Sequence, residues 1–238
     1  MPVAVITGAS QGLGLALAHG LADAGWSVVA DARDADRLAA AVAGLPGGPH
    51  LAVPGDVADS WHRGALAASA TDLGGAELLV NNASTLGFET GGATPLPRLA
   101  DLDPSAYART FEVNVVAPVA LAGMLLPQLR ERRGRVVSVT SDASVEAYET
   151  WGGYGSSKAA LDHAMRVLAA EEPLVRVYAV DPGDLRTAMH QAAFPGEDIS
   201  DRPEPASAVP HLMTLVAGDL PSGRYRAADV VPASEVRA

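Results

Sequence analysis

The sequence contains no cysteine, and this absence excludes several kinds of chemistry. Disulfide bonds, thiolate metal sites and cysteine nucleophiles all need a thiol, so none of them operates in this chain. The six histidines also lack the close spacing of paired metal ligands, so we expect no metal site. A chain without thiols is compatible with a reducing compartment.

Positive charge and long apolar runs are scarce as well. The net charge is -11, whereas a nucleic-acid partner requires a basic face, so we expect no nucleic-acid binding. Glycine, proline or charge interrupts the apolar windows before they reach the roughly 20 residues of a membrane span. Residues 2–6 are too short an apolar run for a secretory signal. We therefore expect a cytoplasmic chain without a membrane partner.

Short apolar segments alternate with longer, helix-like segments along the chain. The predicted strands are residues 3–6, 27–30, 51–53, 78–80, 135–139, 175–180 and 224–227. Wholly apolar strands are typical of parallel sheets covered by helices on both faces. Because parallel strands are joined by right-handed crossovers, the pattern predicts an α/β fold with a Rossmann-type, doubly wound parallel sheet of about seven strands. No shift in composition divides the chain, so we expect one domain over residues 1–238.

Two segments rich in glycine or proline are predicted to border a ligand site. Residues 91–97 form a long loop after the fourth predicted strand. Residues 194–205 are polar and rich in proline, which is more typical of a mobile cover than of a core element. We interpret the region around residues 185–207 as a substrate lid.

A glycine-rich turn follows the first strand and precedes a predicted helix over residues 15–24. Gly8 permits the tight turn, Gly12 permits close approach to a pyrophosphate, and Gly14 permits close packing. The N-terminus of the helix adds free N–H groups and a positive dipole end. A plain strand-to-helix turn is the alternative interpretation.

The tip of the second strand carries residues of both charges, and each favours a different cofactor. The Asp31 carboxylate can bind a ribose 2'-hydroxyl, whereas the Arg33 guanidinium can pair with a 2'-phosphate. Small Ala32 occupies the usual acidic position, so we favour NADP(H) over NAD(H). NAD(H) stays open as the alternative.

Tyr154 and Lys158 lie four residues apart in a predicted helix and therefore share a face. A neighbouring cation lowers the pKa of a phenol toward the working range of an acid/base catalyst. Ser141 stands at the end of the fifth predicted strand, where its hydroxyl can orient a substrate oxygen. Ser138, Thr140 and Ser144 are alternative hydroxyl donors, and an ordinary surface pair is the alternative for Tyr154 and Lys158.

With these motifs in this order, the chain resembles the short-chain dehydrogenase/reductase family over essentially its full length. Residues 7–14 resemble the family's cofactor turn, residues 81–83 its motif after the fourth strand, and residues 181–183 its turn toward the nicotinamide. The resemblance implies that these residues bind the cofactor: Gly8, Ser10, Gln11, Gly12, Leu13, Gly14, Asp31, Arg33, Asp56, Val57, Asn82, Ala83, Tyr154, Lys158, Pro182, Gly183 and Thr187.

The resemblance also implies a catalytic role for Asn114, Ser141, Tyr154 and Lys158. Tyr154 exchanges the proton, Ser141 orients the oxygen, and Lys158 lowers the pKa of the tyrosine and binds the nicotinamide ribose. Asn114 holds a water molecule that links Lys158 to solvent. The implied reaction moves a hydride between the nicotinamide and a small ketone or secondary alcohol.

The sequence departs from the family pattern at several positions. Ser84 replaces the glycine of the family's Asn-Asn-Ala-Gly motif, and Asp184 stands where the family often has an apolar residue. We interpret Asp184 as a helix cap, with a substrate contact as the alternative. Tyr148, Glu149 and Trp151 are placed to shape a substrate pocket, with simple packing as the alternative.

An oligomer is also predicted, from two helices. Two helices, over residues 105–130 and 153–170, have apolar faces wider than one sheet contact needs. The resemblance implies that these faces form the interface of a homodimer or homotetramer.

Two other functions stay open. The first alternative to an oxidoreductase is a regulator that binds NADP(H) without turnover. The second is a lyase or epimerase that retains its cofactor tightly.

Overall fold

The fold is built on one parallel sheet of seven strands in the order β3-β2-β1-β4-β5-β6-β7. A computed structural model describes residues 1–87 and 96–232. The strands are β1 Val3–Ile6, β2 Ser27–Ala32, β3 Leu51–Pro54, β4 Ala76–Asn81, β5 Arg135–Val139, β6 Arg176–Asp181 and β7 Gly223–Arg226. Each neighbouring pair is parallel. The predicted Rossmann-type sheet is confirmed.

Helices connect the strands and cover the sheet. They are α1 Gly12–Asp23, α2 Ala35–Ala43, α3 Ser60–Asp72, α4 Pro104–Phe111, α5 Ala117–Arg132, α6 Gly152–Glu171, α7 Ala188–Ala193 and α8 Val209–Ala217. A π-helical turn, Glu112–Val116, joins α4 to α5 without a break. The predicted helix over residues 105–130 is therefore one long helix with a wide turn in it.

The observed bounds differ from the predicted ones by one or two residues in five of the seven strands, β2, β3, β4, β6 and β7, and they also differ at the start of α1. Helix α1 begins at Gly12, within the glycine-rich turn, rather than at residue 15. Strand β4 begins at Ala76 rather than at residue 78, and β7 ends at Arg226 because Ala227 begins a 3-10 turn. These shifts occur where backbone pairing with a neighbouring strand or turn, rather than local hydrophobicity, determines the end of an element.

Two separate apolar cores lie on the two faces of the sheet. On β4 the side chain of Leu78 points to the core formed with α1 and α8, and that of Leu79 points to the core formed with α3, α5 and α6. Successive side chains of a strand point to opposite faces, so a strand covered on both sides needs an uninterrupted apolar run. The apolar strands that predicted this fold are explained by that requirement.

The site is positioned by a reversal in strand order. Strand β1 pairs with β2 on one side and with β4 on the other, so the chain leaves the sheet in opposite directions from β1 and β4. In open α/β sheets ligands bind at such a point, beyond the carboxyl ends of the strands. The segments after β1 and β4 therefore form the floor of the candidate site.

The long helix over residues 104–132 is long and apolar enough to cross a membrane by length and composition alone. Helix α5 packs on β4 and α3 through buried side chains that include Leu121, Leu125 and Leu129. A core helix of a folded domain passes the same test of length and composition, and this helix contributes to a core.

The two predicted loops have different outcomes. Residues 91–95 of the loop after β4 lie outside the described residues. The predicted lid contains α7, and Ile199 within it is buried. Its mobility stays a prediction.

The two-sided cover of the sheet predicts that neighbouring residues of β4 are equally important for stability. Leu78 and Leu79 are both fully buried, in different cores. We expect Leu78→Ala and Leu79→Ala each to lower the free energy of unfolding by about 2–5 kcal/mol, measured by urea denaturation. The control is Leu174→Ala, because Leu174 is exposed in the turn before β6. Tolerance of either β4 substitution would contradict a sheet covered on both faces.

Candidate active site

A cavity of about 1220 Å³ lies at the carboxyl ends of the strands. Of the residues predicted to bind cofactor or to act in catalysis, all but two line it. The two exceptions are Gly14 and Asn114, which lie behind the wall that the other residues form. The fold thus brings together, at one sheet edge, residues from every part of the chain between Gly8 and Thr187.

The turns after β1 and β4 are joined by hydrogen bonds. The Asn82 side chain donates to the carbonyl oxygens of Thr7 at 2.9 Å and Gly8 at 3.0 Å. The Thr7 hydroxyl accepts the N–H groups of Asn82 and Ala83 at 3.1 and 3.0 Å. A Cβ on Gly14 would lie 2.4 Å from the Gly8 carbonyl oxygen. Glycine at position 14 therefore lets helix α1 begin directly against the turn, as the sequence predicted.

Both oxygens of the Asp31 carboxylate bind groups of the protein itself. One carboxylate oxygen accepts the Gly8 N–H at 3.0 Å, and the other lies 2.5 Å from Nε2 of His62. Only 2% of the Asp31 side chain is exposed. These two bonds hold the glycine-rich turn, and Asp31 also lines the cavity. The predicted contact with the ribose stays a prediction.

His62 is a residue that sequence reasoning missed. It belongs to α3, and its ring lies so close to the turn after β3 that a Cβ on Gly55 would lie 2.2 Å from its Nδ1 atom. Glycine directly after a strand was the available signal for such a close approach. No local pattern links residues 31 and 62, because they meet only through the pairing of β2 with β3 and the packing of α3.

Cations surround the tip of β2. Arg33 lines the cavity, and Arg37 on α2 lines it too and donates to Oε1 of Gln11 at 2.8 Å. Asp34 caps α2 by accepting the Arg37 N–H. This end of the cavity therefore offers two guanidinium groups, beside the carboxylates of Asp31 and Asp34.

Asp56 forms the opposite wall of the same compartment. Burial disfavours its ionisation, but the Ala58 N–H bond and the neighbouring Arg109 guanidinium outweigh burial and lower the pKa of the Asp56 carboxyl. Asp56 is ion-paired with Arg109 of helix α4, and Val57 next to it lines the cavity. The Asp56 carboxylate, which the resemblance implies to bind the cofactor, is thus ionised and paired with an arginine.

Tyr154 lies in the first turn of α6 with its side chain buried. Burial raises the pKa of its phenol, while the nearby Ser141 and Ser84 hydroxyls act in the opposite direction without offsetting it. Nζ of Lys158 lies 5.5 Å from the centre of the ring and donates to the Val139 carbonyl oxygen at 2.8 Å. The expected lowering of the tyrosine pKa is therefore not observed, because desolvation is the larger effect.

Ser141 is the strand-end hydroxyl that reaches the phenol. Ser138 is buried within the sheet and accepts from the Asn81 side chain at 3.1 Å, and Ser144 donates to Asp162 at 2.6 Å. Ser141 lines the cavity and donates to Asp142 at 2.9 Å. Geometry thus separates it from the two alternative serines.

Asn114 is fully buried in the π-helical turn. Its amide donates to the Thr85 carbonyl oxygen and the Ser157 hydroxyl, and its oxygen accepts the Thr85 N–H and the Ser84 hydroxyl. Ser84 therefore lies between Asn114 and Tyr154. Sequence reasoning noted Ser84 only as a departure from a glycine, and that departure was the signal for an additional hydroxyl in the site.

The turn after β6 forms the remaining cofactor wall. Gly183 has a φ of 76°, and its N–H donates to Asp181 at 3.0 Å. Thr187 accepts the His190 N–H and so caps α7. The prediction that Asp184 caps a helix is wrong: Asp184 instead lies 3.8 Å from Nδ1 of His190 and is largely exposed. The cap falls at Thr187, whose backbone is extended directly before α7 begins.

An apolar compartment adjoins Tyr154. The Trp151 ring packs edge-on against Tyr154, with 5.8 Å between centroids, and lies at the same distance from Phe194. Leu86, Leu96 and Met189 contribute to the same cluster. Tyr148 donates its hydroxyl to Asp142 at 2.9 Å and also lines the cavity. This end of the cavity thus combines an apolar cluster with the polar side chains of Asp142 and Tyr148.

The sequence of this chain is similar to those of known proteins. Residues 2–198 match the family model described as short chain dehydrogenase. An uncharacterized oxidoreductase of Saccharomyces cerevisiae is 37% identical over 138 residues, which is 58% of this chain and 52% of that protein. Sepiapterin reductase of Bos taurus is 33% identical over 205 residues, covering 79% of this chain and 74% of the relative.

Solved structures resemble the fold over nearly its whole length. A short chain dehydrogenase of Escherichia coli CFT073 in complex with NADPH superposes with a TM-score of 0.84 at 28% identity, covering 95% of this chain and 96% of that one. A 7α-hydroxysteroid dehydrogenase in complex with NADH and 7-oxo glycochenodeoxycholic acid gives a TM-score of 0.83 at 27% identity, covering 94% and 91%. Both nicotinamide cofactors thus occur among similar structures.

Lys158 is the only lysine of the chain, so its ionisation can be followed directly. Burial lowers the pKa of its ammonium group to about 8, although Asp162 acts in the opposite direction. We expect the single side-chain resonance of protein labelled with ¹³C-lysine to titrate with a midpoint of about 8. Lys158→Arg, which removes the resonance, is the control. A midpoint near the value of about 10.4 for a solvated lysine would contradict the burial described above.

Proposed function

The chain belongs to the short-chain dehydrogenase family, and on that premise we propose that it is an oxidoreductase that transfers a hydride between NADP(H) and a small ketone or secondary alcohol. One observation carries the proposal. The Tyr154 phenol, with the Ser141 and Ser84 hydroxyls in reach, stands in the cavity whose other end is the glycine-rich turn.

The residues of the cavity fit a dinucleotide. Gly8 has a φ of 68° and faces Ala83 so closely that a Cβ would lie 2.9 Å from the Ala83 Cα. A turn packed in this way exposes backbone N–H groups and the start of α1, which together favour a pyrophosphate. Asp56 and Val57 flank the expected adenine position, and Pro182, Gly183 and Thr187 flank the expected nicotinamide position.

The charges near β2 support NADP(H) over NAD(H). An unpaired carboxylate at this place repels a 2'-phosphate, but Asp31 is bonded to Gly8 and His62. The Arg33 guanidinium lines the cavity and can pair with a phosphate through two parallel hydrogen bonds. The guanidinium groups of Arg33 and Arg37 at the strand tip thus support the phosphorylated cofactor.

The protein supplies the proton and the geometry, while the bound nicotinamide supplies hydride chemistry. Burial keeps the Tyr154 phenol protonated at neutral pH, which suits donation of a proton to a carbonyl oxygen during reduction. Ser141 orients that oxygen by a hydrogen bond. Lys158, with its pKa near neutrality, stabilises negative charge on the phenolate and restores its proton.

The apolar compartment around Trp151 and Phe194 favours a substrate whose carbonyl or hydroxyl carries apolar substituents. We also propose that the region around residues 185–207 covers this compartment. It contributes residues 185–190, Ala193, Phe194 and residues 204–206 to the cavity wall. Closure of such a segment excludes water from the reacting groups.

A homodimer or homotetramer is proposed from the helices α5 and α6. Exposed apolar side chains on and beside them include Val116, Val119, Met124 and Val167. A patch of this kind is typical of an interface between subunits. We propose that the assembled enzyme works in the cytoplasm as a single-domain protein acting on small molecules.

Tyr154→Phe removes the acid/base hydroxyl and keeps the packing of the ring. We expect kcat for NADPH-dependent reduction to fall about a hundredfold or more, with the Kd for NADPH retained, because only proton transfer is lost. The assay is a panel of ketones and alcohols followed by absorbance of NADPH. Tyr225→Phe, which removes a hydroxyl bonded to the Pro221 carbonyl, is the matched control. Turnover that survives in Tyr154→Phe would refute the mechanism.

Arg33→Ala tests cofactor preference. We expect kcat/KM to be higher with NADPH than with NADH in the native protein. The substitution should reduce the NADPH value roughly ten- to hundredfold, because a charge-assisted phosphate contact is lost. The NADH value serves as the internal control and should change little. A clear native preference for NADH would exclude the NADP(H) assignment.

A further inference from the structure

An arginine behind the cavity wall connects the strands and helix that carry the reacting groups. Arg224 on β7 donates through Nε to Oδ2 of Asp162 at 3.0 Å and through Nη2 to the Ser141 carbonyl oxygen at 3.0 Å. Asp162 belongs to α6, the helix of Tyr154 and Lys158. Arg224 does not itself line the cavity, so its influence on a ligand is exerted through these partners.

The same guanidinium also faces the turn after β6. Its Nη2 atom lies 3.7 Å from Oδ2 of Asp181, whose other oxygen accepts the Gly183 N–H. Ser144, in the segment after β5, donates to Asp162 at 2.6 Å. The ends of β5 and β6 and the middle of α6 therefore meet at one arginine.

Burial makes this network energetically important. The Asp162 and Asp181 side chains are 8% and 6% exposed. Asp162 Oδ1 has no hydrogen-bond partner among the described residues, so its negative charge relies on the bonds to Oδ2. Removing the cation from a buried carboxylate is strongly destabilising, so contact between that carboxylate and another cation becomes favourable.

Lys158 is an alternative cationic partner for Asp162. The two residues are four apart on α6 and so share one face of the helix. Asp162 already raises the pKa of the Lys158 ammonium against the effect of burial. Arg224 is the cation that limits this attraction by binding the same carboxylate.

We propose that Arg224 is a positioning residue of the active site: it holds the backbone of Ser141 in place and keeps Asp162 paired, so that the Lys158 ammonium stays available to Tyr154. The inference rests on the proposed function for its kinetic consequence, but not for its effect on Lys158. The charged groups around Lys158 and Tyr154 are Asp162 on α6, Asp142 after β5, Asp181 at the end of β6 and Arg224 on β7.

The test uses the single lysine as its reporter. In protein labelled with ¹³C-lysine, Arg224→Met should raise the titration midpoint of Lys158, because Asp162 loses its competing cation. Asp162→Asn should lower the midpoint, because the carboxylate that favours the ammonium is removed. Arg176→Met is the matched control, since Arg176 pairs with Asp219 in an exposed ion pair at the start of β6. The control should leave the midpoint unchanged.

Kinetics provide the second measurement. We expect Arg224→Met to lower kcat for reduction on the order of ten- to a hundredfold through displacement of Ser141, with the Kd for NADPH nearly unchanged. Unchanged Lys158 midpoints in both Arg224→Met and Asp162→Asn would overturn the inference even if the enzyme reduces ketones. Midpoints that move in the two expected directions would support it even if no carbonyl compound were turned over. The two proposals can thus fail separately.

Discussion

The burial of one ammonium group is the constraint on which the chemistry of this structure depends. Lys158 is enclosed at the edge of the sheet, and it is bonded to the Val139 carbonyl beside the buried Tyr154 phenol. Desolvation lowers the pKa of the lysine and raises the pKa of the tyrosine. A neutral phenol and a readily deprotonated ammonium are the pair that proton exchange with a substrate oxygen needs.

Hydrogen bonds in the surrounding structure fix the positions of these two groups relative to the glycine-rich turn. Asn82 joins the segments after β1 and β4, and Asp31 joins the glycine-rich turn to His62 on α3. On the other side, Arg224 joins the ends of β5 and β6 to α6. The polar groups at both ends of the cavity are thus held by buried hydrogen bonds, which keep their positions defined where no regular secondary structure does so.

The same geometry explains why several residues have roles that differ from their first interpretation. Asp31, which was expected to contact ribose, also binds two groups inside the protein. Asp184 was expected to cap a helix, but Thr187 does so. Ser84, a departure from a glycine, contributes a hydroxyl between Asn114 and Tyr154. In each case the outcome depends on which groups from distant segments come within hydrogen-bonding distance.

The amino-acid sequence by itself determined the order of strands and helices along the chain and the position of the glycine-rich turn. It also singled out Ser141, Tyr154 and Lys158 as candidate catalytic residues. These features are local, because apolar periodicity, backbone freedom at glycine and the spacing of two residues on one helix can all be read along the chain. Only the tertiary structure decided that His62 binds Asp31, that Arg224 lies behind Ser141, and that burial is the largest effect on the pKa of Tyr154. Desolvation and buried ion pairs depend on what surrounds a group in three dimensions, and parallel pairing brings together side chains that are far apart in the sequence.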